Sequence, residues 1–147
     1  MKTEIKSFQE LSATDLYHIL DLRNQVFVVE QNCAYLDTDG CDQAATHVLI
    51  WNNDEVLVAY ARVIAPDVKY KSSSIGRVVV HASYRAKNIG HLLMKTAVQT
   101  VFDLYKTGHI TISAQAHLQK FYNQHGFVTS SEVYLEDNIP HVQMVRT

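Results

Sequence analysis

Between Arg85 and Gly90 the chain reads Arg85-Ala86-Lys87-Asn88-Ile89-Gly90, small and basic residues that follow the β-branched run Val78-Val79-Val80. Apolar residues then recur at Ile89, Leu93, Ala97, Val101 and Leu104, with Leu92, Met94, Val98 and Tyr105 widening the stripe. That spacing predicts a long amphipathic helix, closed by Lys106 in a basic last turn and by Gly108 as the cap glycine. A strand that passes through a small-residue loop into a helix N-terminus can hold phosphate. Its first turn carries backbone N–H groups without internal partners, at the positive end of the macrodipole. Arg85 and Lys87 add full charges at the rim, and Gly90 lets the main chain approach a bulky anion. The same residues also fit an ordinary strand-to-helix connection with two solvated cations, and spacing alone supports both readings equally.

Other polar clusters carry less chemistry. Asp37-Thr38-Asp39-Gly40-Cys41-Asp42 resembles a calcium loop, but its glycine stands fourth rather than sixth and Val48 occupies the twelfth position. Cys33, Cys41 and His47 lack metal-ligand spacing, so no metal is expected. The segment reads as an acidic surface loop able to attract a cationic substrate.

The elements that must position these groups follow from pattern. A short strand is expected near residues 2–8, then a helix opened by Ser12 with Asp15 three positions on, bearing Leu16, Ile19, Leu20, Arg23, Val26 and Phe27. Residues 46–51 and 55–64 read as a hairpin about Asn52-Asn53-Asp54. Residues 109–114 form the strand after the long helix, completing a right-handed βαβ unit with ligands expected at the strands' carboxyl ends. A helix over 115–125 ends at Gly126-Phe127, and residues 128–134 and 141–145 read as a last hairpin.

With 147 residues, 47% of them hydrophobic and 19% charged, the chain reads as one globular domain over residues 1–147. A net charge of −2 argues against a nucleic-acid partner. The N-terminus lacks a signal-peptide core and no apolar run has spanning length, so a cytoplasmic protein without a membrane partner is expected. Cys33 and Cys41 would stay reduced there.

The segment from Val78 to Gly90 resembles the acetyl-coenzyme A signature of the GCN5-related N-acetyltransferases (GNAT), a strand leading into Arg/Gln-x-x-Gly-x-Gly/Ala. Here Asn88 replaces the first glycine and Ala86 stands where a further one is frequent. Asn is the non-glycine residue that best tolerates left-handed geometry. Phe121-Tyr122 upstream of Gly126-Phe127 resembles the family's other signature. Val26-Phe27-Val28-Val29-Glu30-Gln31, Ile112 to Gln119 and Asn138-Ile139-Pro140-His141 look like the ElaA-type branch, so the likeness covers nearly the whole chain.

The resemblance implies an α/β GNAT fold with a mixed, mostly antiparallel sheet, a βαβ cofactor-binding unit and flanking helices. It implies an acyl-coenzyme A N-acyltransferase, with acetyl-CoA as co-substrate and a small-molecule amine or peptide as acceptor. Val78, Val79, Val80, Arg85, Ala86, Lys87, Asn88, Ile89, Gly90, His91 and Tyr122 would then bind the cofactor. Val80 N–H would serve the oxyanion, and Tyr122 would be the general acid, a phenol that stays protonated at neutral pH. Glu30 is the first choice of base, with His141, His117 or a water chain as alternatives. Arg23, Glu30, Gln31 and His141 are the candidate acceptor contacts. Neither cysteine stands at a nucleophile position, so transfer would be direct. A homodimer is compatible with the resemblance. A non-catalytic acyl-CoA sensor is the second reading, favoured by Asn88 and opposed by Tyr122. A nucleotide hydrolase is disfavoured, because no Gly-x-x-x-x-Gly-Lys-Ser/Thr loop exists.

Overall fold

The computed structural model describes residues 1–147. Strands β1 (Lys2–Ser7), β2 (Thr46–Trp51), β3 (Leu57–Ile64) and β4 (Ser74–Val80) form an antiparallel sheet in that order. A second antiparallel sheet contains β5 (Ile110–Gln115), β6 (Val128–Thr129) and β7 (Tyr134–Glu136), with each of the three paired to β8 (Ile139–Arg146). Helices α1 (Ala13–Arg23), α2 (Ile89–Tyr105) and α3 (Gln119–Asn123) complete the fold.

β2 and β3 are covered on both faces, which is why they read as near-continuous apolar runs rather than alternating ones. Val48 and Ile50 share one core with Leu93, Met94, Ala97 and Val101 of α2. Leu49 and Trp51, on the opposite face, pack with Ile19, Leu22 and Val26. The capping box at Ser12 and Asp15 starts α1 as expected, with Asp15 N–H donating to Ser12 Oγ at 2.9 Å. α1 then widens into a π-helical segment, Asn24–Glu30, which carries Phe27 and Val28 to the edge of the gap between the two sheets.

Three expectations need correction. The left-handed cap of α2 is Lys106 (φ +56°), whose Nζ also bonds Asp103 O at 2.8 Å; Gly108 lies beyond it. The strand expected over residues 128–134 is broken between β6 and β7. There Gln143 N–H donates to Ser131 Oγ, so a hydroxyl takes a place a ladder carbonyl would hold. The helix expected from residue 115 opens with a 3₁₀ turn, Ala116–Leu118, and is α-helical only over α3. No helix is long and apolar enough to cross a membrane.

Candidate active site

β4 and β5 are parallel neighbours that meet at one point. Thr111 N–H donates to Ser73 O at 2.9 Å, beside a 2.6 Å contact between the Ser72 and Thr111 hydroxyls. Beyond that bridge each strand belongs to a different sheet, and a crevice opens between them. β4 carries a bulge on its way along the crevice. Arg77 and Val78 lie opposite the single residue Ala61, and Arg77 is left-handed at φ +49°. Past the bulge, His81 N–H bonds Val58 O at 2.8 Å. By the alternation of an antiparallel ladder, the paired Val80 therefore turns its N–H and C=O away from β3 and toward the split. Val78 lines the crevice, whereas the Val79 side chain is buried in the α1 core and, by the same alternation, its N–H and C=O face Tyr60 of β3, so the expected cofactor contact at Val79 is not available.

The loop into α2 needs two left-handed residues, Ala86 (φ +60°) and Asn88 (φ +61°). Asn88 thus takes the backbone conformation that a glycine would supply. Its side chain makes no capping hydrogen bond, and the first bond of the helix runs from Leu92 N–H to Asn88 O at 3.1 Å. The amides of Ile89, Gly90 and His91 are left as open donors at the positive end of α2. The Ile89 side chain is core, and Lys87 Nζ sits 5.1 Å over the Tyr84 ring. His91 Nδ1 lies 2.9 Å from His125 Nε2. A Cβ at Gly90 would lie in ordinary contact with the Phe121 ring at 3.4 Å and Val80 Cγ2 at 3.8 Å, so the first turn of α2 lies close to α3 and β4.

Tyr122 projects from α3 into the lining of the crevice and is almost wholly buried. Its hydroxyl has no hydrogen-bond partner in the chain, and burial pushes the phenol above its ordinary pKa. It remains a proton donor at any physiological pH.

The part of the crevice lined by Val78 and Tyr122 is a cavity of about 120 Å³ that also reaches the π-helical segment, the loop after it, and the β7–β8 turn. Gln31 lines it and accepts from Gln115 Nε2 at 3.3 Å. His141 lines it too, held by Ile139 O at 2.6 Å from Nδ1 and by Glu136 Oε2 at 3.3 Å from Nε2.

Two expected site residues lie elsewhere. Arg23 is fully buried, bonding Asp37 Oδ2 at 2.6 Å and Asp42 Oδ1 at 2.8 Å, so it cannot touch an acceptor. Glu30 does not line the cavity; its two oxygens accept from Arg85 Nη1 and Nη2 at 2.7 and 3.0 Å. Arg85 also donates from Nε to Val80 O at 3.2 Å. The expected base and the expected phosphate ligand are thus partners of each other. His117 is exposed and outside the cavity.

The acidic loop is not a free acidic surface either. Asp42 joins Arg23 to Arg62, Asp39 pairs with Arg62, and Asp37 holds Arg77 as well as Arg23. Arg77 Nε lies 3.0 Å from Asp37 Oδ1, too bent for a hydrogen bond but close enough for an ion pair, while Nη2 bonds Asp37 O at 2.7 Å. The loop's charge is spent on fastening the bulged strand and α1 to each other.

Gly76, Arg77 and Glu136 were not among the expected site residues. A glycine inside the run Ile75-Gly76-Arg77-Val78 is the available signal for a bulge. Glu136 is marked in the sequence only as one of several acidic residues that suit a basic acceptor, because its partner His141 reaches it through the turn.

A family model described as the acetyltransferase (GNAT) domain matches residues 16–147. The chain belongs to the GNAT family. It is thereby an N-acyltransferase, and the split sheet described above is the family's fold. Protein ElaA of Escherichia coli K12 is 46% identical over 139 residues, covering 93% of this chain and 90% of that protein. Among solved structures, an acyl-CoA N-acyltransferase from Pseudomonas aeruginosa superposes with a TM-score of 0.93 at 40% identity, covering all of both chains. The crystal structure of Escherichia coli ElaA gives 0.92 at 42% identity, covering 99% of each. This GNAT chain therefore has relatives of known structure that match it end to end.

Proposed function

We propose that the chain, as a single GNAT domain over residues 1–147, transfers acetyl from acetyl-CoA to a primary amine of a small molecule or peptide by direct attack in a ternary complex. The observation that carries this reading is the crevice between β4 and β5, with Val80 N–H turned toward it and an unpartnered Tyr122 hydroxyl in its lining. The residues present fit the co-substrate, which would supply the activated acyl carbon and a thiolate leaving group. The free amides of Ile89, Gly90 and His91, with Lys87 and Arg85 beside them, suit a pyrophosphate. The exposed edge of β4 suits the amides of a pantetheine arm, as an added strand would.

Val80 N–H is aimed where the acyl oxygen gains negative charge, and a fixed donor there lowers the barrier. Tyr122 offers its proton to the departing sulfur, which leaves more readily as a thiol. Asn88 no longer favours a sensor without chemistry, since it adopts the glycine-like geometry itself. A cytoplasmic setting suits Cys33 and Cys41, which stand free in the fold.

Thiol release from acetyl-CoA, screened across amines, amino sugars, polyamines and peptide N-termini, tests the reading together with Tyr122→Phe. The wild type should release thiol with at least one acceptor. The variant should lose about 10²-fold in kcat while binding coenzyme A as before. An unchanged kcat would make Tyr122 a packing residue.

A further inference from the structure

We infer that Glu136 and His141 form the docking and deprotonation site for the acceptor, and that the acceptor arrives as a primary alkylammonium with an apolar body. The inference rests on the N-acyltransferase reading and goes beyond it by naming the base and the charge state of the substrate.

His141 is buried on β8, and its Nδ1 lies 2.6 Å from a carbonyl oxygen, Ile139 O. A carbonyl only accepts, so Nδ1 carries a hydrogen and Nε2 is the nitrogen that gains or loses the proton. Nε2 faces Glu136 Oε2 at 3.3 Å. The other Glu136 oxygen accepts from Ser113 Oγ at 3.1 Å, and Ser113 Oγ in turn lies 2.5 Å from the Tyr134 hydroxyl. The Tyr134 ring stacks on His141 with 23° between planes. The pair is thereby held from three sides.

When His141 is neutral, two acceptors point at each other across 3.3 Å with no hydrogen between them. A group that brings its own N–H donors satisfies both. An ammonium does so, with one N–H toward Oε2 and one toward Nε2.

The charges around the cavity favour that occupant. Arg77 from β4 and Asp37 from the preceding loop are paired with each other. Cys33 donates its Sγ–H to Asp137 O at 3.4 Å, and Tyr122 from α3 stays neutral. Glu136 has no ionic partner but His141, and Asp137 has none. The free charge at this end is negative. Phe27, Val28, Leu118 and Ile139 line the rest, a fit for an apolar body beside the nitrogen.

The proton count closes. R–NH₃⁺ gives one proton to His141 Nε2, and the imidazolium is held by Glu136. The freed nitrogen pair forms the N–C bond, the C–S bond breaks, and the sulfur takes the Tyr122 proton. The nitrogen's second proton restores the Tyr122 hydroxyl through solvent. His141 returns its proton to water past Glu136, whose side chain is 48% exposed. One proton is released per acyl group transferred.

The test uses benzylamine as the cationic probe and O-benzylhydroxylamine as one that is neutral at pH 7. Calorimetric titration of benzylamine into the coenzyme A-bound protein should show binding that Glu136→Gln weakens by about tenfold, whereas benzyl alcohol should not bind. In thiol release at pH 7, His141→Gln should cost about 10²-fold with benzylamine and less than about fivefold with O-benzylhydroxylamine. Raising the pH, which supplies neutral benzylamine, should narrow the first loss. Equal losses for both nucleophiles, or benzylamine binding that ignores Glu136→Gln, would overturn the proposal, and so would a wild type that does not bind benzylamine. Binding that obeys these rules without any thiol release would instead leave the docking site standing and remove the transferase reading. Glu136 lies near the surface, so its variant reports even where His141→Gln fails to fold.

Discussion

Arg85 and Glu30 show how one contact can tie two expected site residues to each other. The resemblance gives the guanidinium to phosphate and the carboxylate to the amine's proton, but both oxygens of Glu30 bind the two terminal nitrogens of Arg85. In this arrangement the carboxylate is bound to the loop and stands outside the cavity. Glu30→Gln should therefore keep kcat within about threefold, since an exposed ion pair of this kind is worth at most about 1 kcal/mol. Steady-state thiol release checks it, and a hundredfold fall in kcat would return Glu30 to the role of base. The left-handed geometry of Asn88 and the place of Tyr122 in the crevice lining were legible from sequence because they depend on local identity: a residue tolerant of positive φ, and an aromatic pair before Gly-Phe. Arg23 was not legible. An arginine on an apolar helix stripe looks available until its buried partners, 14 and 19 positions downstream, are known.

The element most dependent on distant partners is the bulged strand β4. Its left-handed Arg77 is fastened by Asp37, and the same loop fastens Arg62 and Arg23 through Asp42 and Asp39. Burial alone would raise the Asp42 pKa, but hydrogen bonds and charge from Arg23, then Arg62, outweigh it and hold the carboxyl below its ordinary value. A depressed carboxylate pKa stabilises the fold above the unfolded value, near pH 4, and the contribution is lost as pH falls through the folded value. Asp42→Asn should cost about 3–5 kcal/mol at pH 7, because two buried guanidinium groups lose their shared counter-charge. Denaturant melts measure this, and the gap between variant and wild type should shrink below about pH 4. A cost under 1 kcal/mol, or one independent of pH, would contradict the account. From sequence, α2 was legible by its helical period, and β1, β2, β3 and β5 as short apolar or β-branched runs bounded by polar turns, because both signals are local. The bulge was signalled only by Gly76, and the contact that fastens it comes from a residue forty positions earlier.

At the scale of the molecule, two antiparallel sheets share one parallel bridge, between Ser73 and Ile110, and then separate, with α2 beginning at the opening. The βαβ pattern was readable in the sequence, and with it the adjacency of β4 and β5. Their parting was not, because strand pattern records which face is buried and says little about where a ladder stops. This opening is where coenzyme A should bind. Diffraction from crystals grown with coenzyme A tests it most directly. The pyrophosphate oxygens should lie about 3 Å from the amides of Ile89, Gly90 and His91, with the pantetheine arm along β4 and its sulfur near Tyr122. Coenzyme A bound on another face, or a crevice that stays closed to it at saturating concentration, would contradict the claim.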